Sequence, residues 1–150
     1  MKHIFLAAAL ALATTACSDT TDTSSEVVTL PPVVNPNTAT YDEIVGAGGG
    51  VVPDYARAIV DNRPYADGVA FAEFAKANGI DAVLDDVFIP LSLNKTAEED
   101  FLVIPDLSER MAHEFIEYRP YTSMAQFEGE MGKYVNAEEV ARLRRYVTLD

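Results

Sequence analysis

Two stretches of the chain resemble each other: "ARAIVDNRPYADGVAF" at residues 56–71 and "AHEFIEYRPYTSMAQF" at residues 112–127. The tripeptide Arg-Pro-Tyr recurs in them at a spacing of 56 positions, and a phenylalanine follows six residues after each tyrosine. Self-similarity at a fixed spacing is typical of a duplicated structural unit. The sequence therefore predicts two copies of one unit.

Each copy begins with the same signal for a helix start. Thr40-x-x-Glu43 and Thr96-x-x-Glu99 both have the capping-box pattern, in which the two side chains bond to free amides of the first helical turn. Apolar residues follow at helical spacing in both copies. A first helix is therefore predicted in each copy.

A turn and a second helix follow in each copy. The turns are "GAGGGVVPD" (46–54) and "IPDLSE" (104–109), in which glycine, proline and aspartate favour a sharp change of direction. The predicted second helices, which have one apolar face, are 53–62 and 108–118. Both must end before Pro64 or Pro120, because the residue preceding a proline avoids the α region. The repeated tripeptide is thus a corner between helices.

The corner residues have expected roles of their own. Tyr65 and Tyr121 are expected to pack on the core. Arg63 and Arg119 are expected to offer charge to the carbonyl groups at the preceding helix C-terminus, which favour cations. These roles make the corner part of the fold rather than a loop.

The remaining elements of each copy are also predicted to be helical. Asp67 and Ser123 are expected to cap a third helix, and Ser123-x-x-Gln126 forms another capping box. The predicted fourth helices are 81–88 and 136–147. The link 89–94 joins the copies, and no sheet is predicted. The fold class is therefore all-α, with two tandem four-helix units at 37–92 and 93–150.

The N-terminus has the features of a secretory signal at 1–16. One basic residue, Lys2, precedes an apolar run that is too short to span a bilayer, and small residues then lead to Cys17. The ending "TTAC" resembles the lipobox of bacterial lipoproteins, which implies that Cys17 carries a lipid. The alternative is ordinary cleavage near Ala16, which leaves a free thiol. Residues 17–36 are rich in Ser, Thr, Asp and Pro and are predicted to be a disordered tether.

The charge balance bears on the class of partner. The chain has 11 basic and 24 acidic residues, so loss of Lys2 with the signal leaves ten basic residues and a net charge of −14. Such a balance disfavours nucleic acid and anionic lipid. Since Cys17 is the single cysteine, an intrachain disulfide is excluded.

The repeated pattern is similar to the helix-hairpin-helix domain of the small competence DNA receptors. That segment has an Asn-x-Ala-Ser/Thr start, a Glu-Leu pair, a Leu-Pro-Gly-Ile-Gly hairpin, Ala-x-x-Ile, Arg and a later Phe. The matching positions of the first copy are Asn37, Ala39, Thr40, Glu43, Ile44, Gly48, Gly49, Gly50, Ala56, Ile59, Arg63 and Phe71. Those of the second copy are Asn94, Thr96, Glu99, Phe101, Ile104, Pro105, Leu107, Ala112, Ile116, Arg119 and Phe127.

The resemblance implies that the hairpin turns are candidate binding sites. In DNA-binding members the hairpin glycines let backbone amides approach a phosphate, and a nearby Lys or Arg adds attraction. The corresponding turn residues are Gly48, Gly49, Gly50, Val51, Pro105, Asp106 and Leu107. The candidate cations for a phosphate or an acidic partner are Arg57, Arg142, Arg144 and Arg145. Other proteins with this fold, such as an extrinsic lumenal subunit of photosystem II, dock on protein instead.

The second turn departs from the DNA-binding pattern. Asp106 lies within it and Glu109 follows, so two carboxylates stand where phosphate would bind. In the first turn Arg57 is the nearest cation in sequence. The arginine cluster "RLRRY" (142–146) has an alternative reading, because Arg142 can pair with Glu138 or Glu139 on the same helix.

Other candidate sites have plainer interpretations. His113 is the one histidine after the signal and has no second histidine or cysteine for a metal pair, so it is interpreted as a partly exposed helix residue rather than a general base. The acidic runs at 85–86 and 98–100 are interpreted as solvated helix faces rather than catalytic pairs or calcium ligands. The glycine run lacks the Gly-Lys-Ser/Thr of a nucleotide loop. No cofactor or metal is predicted.

The sequence as a whole favours a non-catalytic lipoprotein of the bacterial envelope. It would face the periplasm, with the outer membrane favoured by Ser18 after the lipidated cysteine. It would act as a binding or scaffolding module for an unidentified envelope protein, and its second partner would be the bilayer that holds the lipid. The alternative is retained binding of double-stranded DNA, as in uptake receptors.

Overall fold

The computed structural model describes residues 29–48 and 50–150. The α-helices of this part of the chain are α1 (Tyr41–Val45), α2 (Pro53–Asp61), α3 (Gly68–Ala77), α4 (Glu109–Glu117), α5 (Met124–Met131) and α6 (Ala137–Arg144). Two 3₁₀ helices, Asp81–Asp85 and Glu99–Val103, complete the helical elements, and two short strands are β1 (Leu91–Ser92) and β2 (Val147–Thr148). The protein is mainly helical, as predicted.

Side-chain caps fix the starts of most helices. The Thr40 capping box is confirmed, because the Thr40 amide donates to the Glu43 carboxylate at 2.7 Å and the Glu43 amide donates to the Thr40 hydroxyl at 3.2 Å. Ser108 caps α4 in the same way, accepting from Met111 at 3.3 Å. Asp67 and Ser123 cap α3 and α5 as predicted. These caps satisfy amides that have no partner within the helix.

Two predicted capping boxes are incomplete or absent. Gln126 accepts from the Thr122 amide at 2.9 Å instead of from Ser123. The predicted box at Thr96 and Glu99 is wrong, because the second 3₁₀ helix starts after Glu98 without a side-chain cap. The Thr96 carbonyl is used elsewhere, as the acceptor of a bond from Arg119. Short 3₁₀ turns therefore replace two of the predicted helices, 81–88 and the first helix of the second copy.

The duplication is visible in side-chain contacts that recur in both halves. Asn37 exchanges two bonds with the backbone of Tyr65, at 2.8 and 2.9 Å. Asn94 does the same with Tyr121, at 3.0 and 2.8 Å. Each asparagine thereby fixes the corner to the segment that precedes the first helical element of its half.

The arginines of the two corners act differently from the prediction. Arg63 donates to the Ala39 carbonyl at 2.6 Å, and Arg119 donates to the Thr96 and Leu93 carbonyls. These acceptors lie more than 20 residues earlier in the chain, not at the end of the preceding helix. The arginines therefore join the corner to the start of each half.

The corner tyrosines are buried, as predicted. Tyr65 donates its hydroxyl to the Ile59 carbonyl at 2.9 Å, and Tyr121 points to the Glu114 carbonyl at 3.5 Å. Burial raises the pKa of both hydroxyls to about 12, because the charged form would lose its water.

The Arg-Pro bond is cis in both corners. α2 and α4 end at Asp61 and Glu117, before the prolines.

A continuous apolar core joins the two halves. Its largest fully buried side chains are Tyr146, Phe71, Phe88, Phe101, Phe115, Phe127, Ile44, Ile59, Leu93, Ile104, Met131 and Leu143. α3 of the first half contacts the second 3₁₀ helix. Phe88 of the first half packs edge to face on Tyr146 of the second, with ring centroids 5.2 Å apart. The halves therefore share one core.

Two features of the backbone correct the prediction. The link between halves contains β1, which pairs in parallel with β2 near the C-terminus, so the expectation of no sheet is wrong. Val34, in the predicted tether, forms a parallel bridge with Val87. Its amide and carbonyl bond to Asp86 and Phe88 at 2.7 and 3.0 Å. The end of the segment predicted as a disordered tether, residues 31–36, is thus packed on the fold.

Substitution by alanine at two helical glycines, Gly68 and Gly129, should change the free energy of unfolding in opposite directions. A Cβ at Gly68 would come within 2.3 Å of the Ile89 carbonyl oxygen, whereas a Cβ at Gly129 has no atom within 4 Å. Gly68→Ala should therefore lower the free energy of unfolding by about 1–3 kcal/mol through overpacking. Gly129→Ala should raise it by about 0.5–1 kcal/mol, because alanine favours the helix.

Urea denaturation of residues 17–150, with Cys17→Ser in every variant, measures both changes. Equal effects of the two substitutions would show that the close approach of the link to α3 is absent.

Candidate functional site

The two predicted hairpin turns lie at equivalent places in the halves. The first turn joins α1 to α2, and the second joins the second 3₁₀ helix to α4. The paired elements are in contact in each half, as a helical hairpin requires. Pro53 occupies the first turn of α2, as predicted.

The first turn packs against the 3₁₀ helix of the same half. A Cβ at Gly48 would lie 1.6 Å from Asp86 Oδ2, and one at Gly50 would lie 2.7 Å from the Ala82 carbonyl oxygen. Val51 is buried in the core. These glycines therefore allow a close approach of protein. Gly49 lies outside the described residues.

A carboxylate thus lies directly against the turn that the family resemblance makes a candidate for phosphate binding. The prediction that Asp85 and Asp86 form a solvated helix face is wrong for Asp86. Its Oδ1 accepts from Arg145 Nη2 at 3.0 Å, and the two side chains are mostly buried. Asp86 was not predicted at this site, because it lies 36 residues after Gly50 in the chain.

The second turn is held from α6. Arg142 donates through Nη1 to the Pro105 carbonyl at 2.8 Å and forms a two-pronged bond with Glu139, both distances being 2.7 Å. Leu107 donates its amide to the Ile104 carbonyl at 3.2 Å. Bonds to the carboxylate raise the pKa of Arg142. Arg142 is therefore part of the hairpin's own support.

Asp106 is the one described non-glycine residue with a positive φ, 55°. Left-handed backbone favours glycine, and Asp or Asn tolerates it better than alanine does. Asp106→Gly should leave the free energy of unfolding unchanged or raise it by up to about 1 kcal/mol, whereas Asp106→Ala should lower it by about 1 kcal/mol. Thermal unfolding of the two variants side by side measures the difference. A more stable alanine form would contradict the turn conformation.

Every arginine of the C-terminal cluster has an acidic partner. Arg142 pairs with Glu139, which was one of the two predicted partners; Arg144 pairs with Glu128, and Arg145 pairs with Asp86. Arg145 also donates to the Pro31 carbonyl at 2.7 Å. Ion pairing leaves little positive potential for a phosphate on this face.

Arg57 differs from the other candidate cations. It is exposed on α2, its guanidinium lies 5.7 Å from the centre of the Tyr41 ring, and no carboxylate of the described residues forms an ion pair with it. The structure brings Arg142 to the second turn and Arg145 to the Asp86 carboxylate beside the first, whereas Arg57 faces solvent. The four predicted cations therefore do not form one positive site.

The other polar groups form small local clusters. His113 is exposed on α4 and lies 3.3 Å from Glu98. A second cluster, missed by the sequence analysis, has the Tyr118 and Tyr134 hydroxyls 2.6 Å apart beside Glu114, which is 8% exposed. The hydrogen bond to Tyr118, followed by the nearby Glu114 carboxylate, raises the pKa of the Tyr134 hydroxyl. Within the described part of the chain, no three acidic, histidine or cysteine side chains are grouped as metal ligands.

The fold and these turns define a mainly helical, internally duplicated protein. Comparison with protein-family models, with curated proteins and with solved structures found no match for this chain. None of the helices in residues 29–48 and 50–150 has both the length and the hydropathy to cross a membrane. Cys17, the predicted lipid site, lies outside the described residues.

Proposed function

We propose that this chain is a non-catalytic envelope lipoprotein that binds or scaffolds another protein through tandem, degenerate helix-hairpin-helix units. One observation carries the proposal: protein groups already occupy the surroundings of both hairpin turns. Asp86 covers Gly48, and Arg142 holds the Pro105 carbonyl. These contacts make the turns part of the protein's own packing. The exposed residues of the turns, such as Val52, then remain for contact with a partner.

The helix-hairpin-helix assignment rests on the match between sequence motif and contacts. Each half has a helical element, a tight turn, a second helix and an Arg-Pro-Tyr corner in the order of the family's segment. The Asn and Arg that match the family pattern fasten the corner in each half. These contacts fix the shape of each half, and the acidic second turn lacks the cations of a phosphate site.

Charge favours a protein partner over DNA. A phosphate clamp draws affinity from several Lys or Arg contacts, but the three C-terminal arginines are neutralised by Glu139, Glu128 and Asp86. The remaining charge of the mature chain is strongly negative. Repulsion between this surface and a polyanion therefore opposes binding.

Protein binding can be tested by placing a photoreactive amino acid at the turn. Val52, which is 44% exposed at the start of α2, is one site, and Lys76, exposed near the end of α3, is a control site. Crosslinking in intact cells should give a discrete protein adduct from position 52 but not from position 76. Repeated absence of an adduct, or identical products from both sites, would contradict binding at the first turn.

Attachment of the chain to a membrane depends on Cys17. Growth with a labelled palmitate analogue should label the full chain, and Cys17→Ser should lose the label and release the protein from the membrane fraction. Unlabelled protein that begins after Ala16 would establish ordinary secretion instead.

Arg57 favours a second function, binding of double-stranded DNA. It is exposed on α2, seven residues after Gly50. A single cation of this kind supports weak, salt-sensitive contact with a phosphate.

A further inference from the structure

A large apolar groove lies between the C-terminal helices and the first described residues. Its volume is about 1030 Å³, and its apolar floor includes Val135, Val140, Ala141 and Val147. Ala137, exposed in the first turn of α6, lies at its edge. A groove of this size can hold several side chains of an extended segment.

The chain itself enters the structure along this groove. Thr29, Leu30 and Pro32 form one of its walls. The Arg145 guanidinium fixes that wall by its bond to the Pro31 carbonyl, and Leu30 remains 43% exposed. The segment that precedes Thr29 therefore begins next to the apolar floor.

We propose that residues 24–28, "SSEVV", occupy this groove and hold the folded part close to its N-terminal attachment. An extended residue covers about 3.3–3.6 Å, so Val27 and Val28 are within about 7 Å of the Thr29 wall. These two valines are the apolar residues of the stretch 18–28, which is otherwise Ser, Thr, Asp and Glu. Their burial against the valine and alanine floor removes apolar surface from water.

The rim of the groove carries hydrogen-bond donors for the carboxylate that precedes the valines. Arg144 lies on the rim, is 54% exposed in its side chain, and bonds to Glu128 through Nε. A guanidinium has five N–H donors, and the bond to Glu128 uses Nε, so the other N–H groups of Arg144 can donate to a second carboxylate. Glu26 stands one residue before Val27 and supplies it.

Docking shortens the free tether. Without it, residues 17–28 separate the cysteine from the fold, and a flexible segment of that length has a root-mean-square span of about 19 Å. With residues 24–28 docked, the free segment is 17–23 and its span falls to about 15 Å. The docked segment also closes the groove to any other apolar peptide.

Hydrogen exchange of residues 17–150, with Cys17→Ser, tests the proposal. The amides of residues 27–29 should exchange at least tenfold more slowly than in an unstructured peptide of the same sequence. Ala137→Asp places a carboxylate in the groove opposite Glu26 and should abolish this protection. Ala125→Asp is the matched control, because Ala125 is also an exposed alanine in the first turn of a helix but does not line the groove.

Three outcomes would overturn the proposal. The first is exchange of residues 27–29 at the unprotected rate in the starting protein. The second is protection that survives Ala137→Asp, which would place the segment elsewhere. The third is protection that disappears on dilution, which would make a second copy of the chain the occupant. Folding of Ala137→Asp is checked by the exchange of core amides in α4, which should remain unchanged.

Discussion

Replacing Phe115 by alanine should lower the free energy of unfolding by about 3–5 kcal/mol, the usual range for a buried aromatic. Phe115 is fully buried on α4 and packs edge to face on two other rings, Phe101 and Phe127, with centroids 5.2 and 5.1 Å away. The cavity would open where three elements of the second half meet. Since domains of this size have about 5–15 kcal/mol of stability, the loss is a large part of the total.

Urea denaturation of the Phe115→Ala form measures this loss. Leu102→Ala is the control, because Leu102 is a large apolar residue that is 43% exposed and should change stability by no more than about 0.5 kcal/mol. Similar values for the two variants would contradict the aromatic cluster as the centre of the second half.

Arg119→Met should lower the free energy of unfolding by about 3–6 kcal/mol. The substitution keeps the aliphatic stem but removes charged donors from two backbone carbonyls, those of Leu93 and Thr96. Each bond from a charged group contributes about 1.5–3 kcal/mol. Arg119 is also partly buried, and this desolvation lowers the pKa of its guanidinium.

The first half supplies a matched variant. Arg63 occupies the same corner position, but it bonds to one carbonyl, that of Ala39, and its Nε has no partner among the described residues. Arg63→Met should therefore lose about half as much stability as Arg119→Met. Equal losses of stability, or a larger loss from Arg63→Met, would contradict the prediction that Arg119 stabilises its corner more than Arg63 does.

Local signals in the sequence predicted much of the fold. The prolines of the corners set the ends of α2 and α4, and Thr40, Asp67 and Ser123 set helix starts, because each acts within about four residues of itself. The repeated tyrosines were correctly placed on the core. These features needed no information about distant parts of the chain.

The register of the repeat was harder to predict because the segment from the asparagine to the corner arginine is one residue shorter in the second half, from Asn94 to Arg119, than in the first, from Asn37 to Arg63. Positions with the same contacts are 57 apart before the turn: Asn37 and Asn94, and Ala39 and Thr96. They are 56 apart after it: Arg63 and Arg119, and Tyr65 and Tyr121. The match of Thr40 to Thr96 at a spacing of 56 therefore paired residues with different roles, and the second capping box was wrong for this reason.

Sequence patterns did not predict the contacts between residues that lie far apart in the chain. β1 and β2 pair across more than 50 residues, and the same is true of Arg145 and Asp86. In the sequence, Asp86 is part of an acidic run and Arg145 is part of a basic run. Their pairing changes the interpretation of both, because each charge is neutralised by the other.

DNA binding by residues 17–150 with Cys17→Ser, followed by the fluorescence anisotropy of a labelled duplex in low salt, tests the central claim most directly. The claim is that the protein's own contacts occupy both hairpin turns and that carboxylates pair with the three C-terminal arginines, so that Arg57 alone is too little to bind a duplex. It predicts no rise in anisotropy at any protein concentration used. A saturable rise that weakens with added salt would contradict it, and loss of that rise in Arg57→Ala would assign the contact to Arg57.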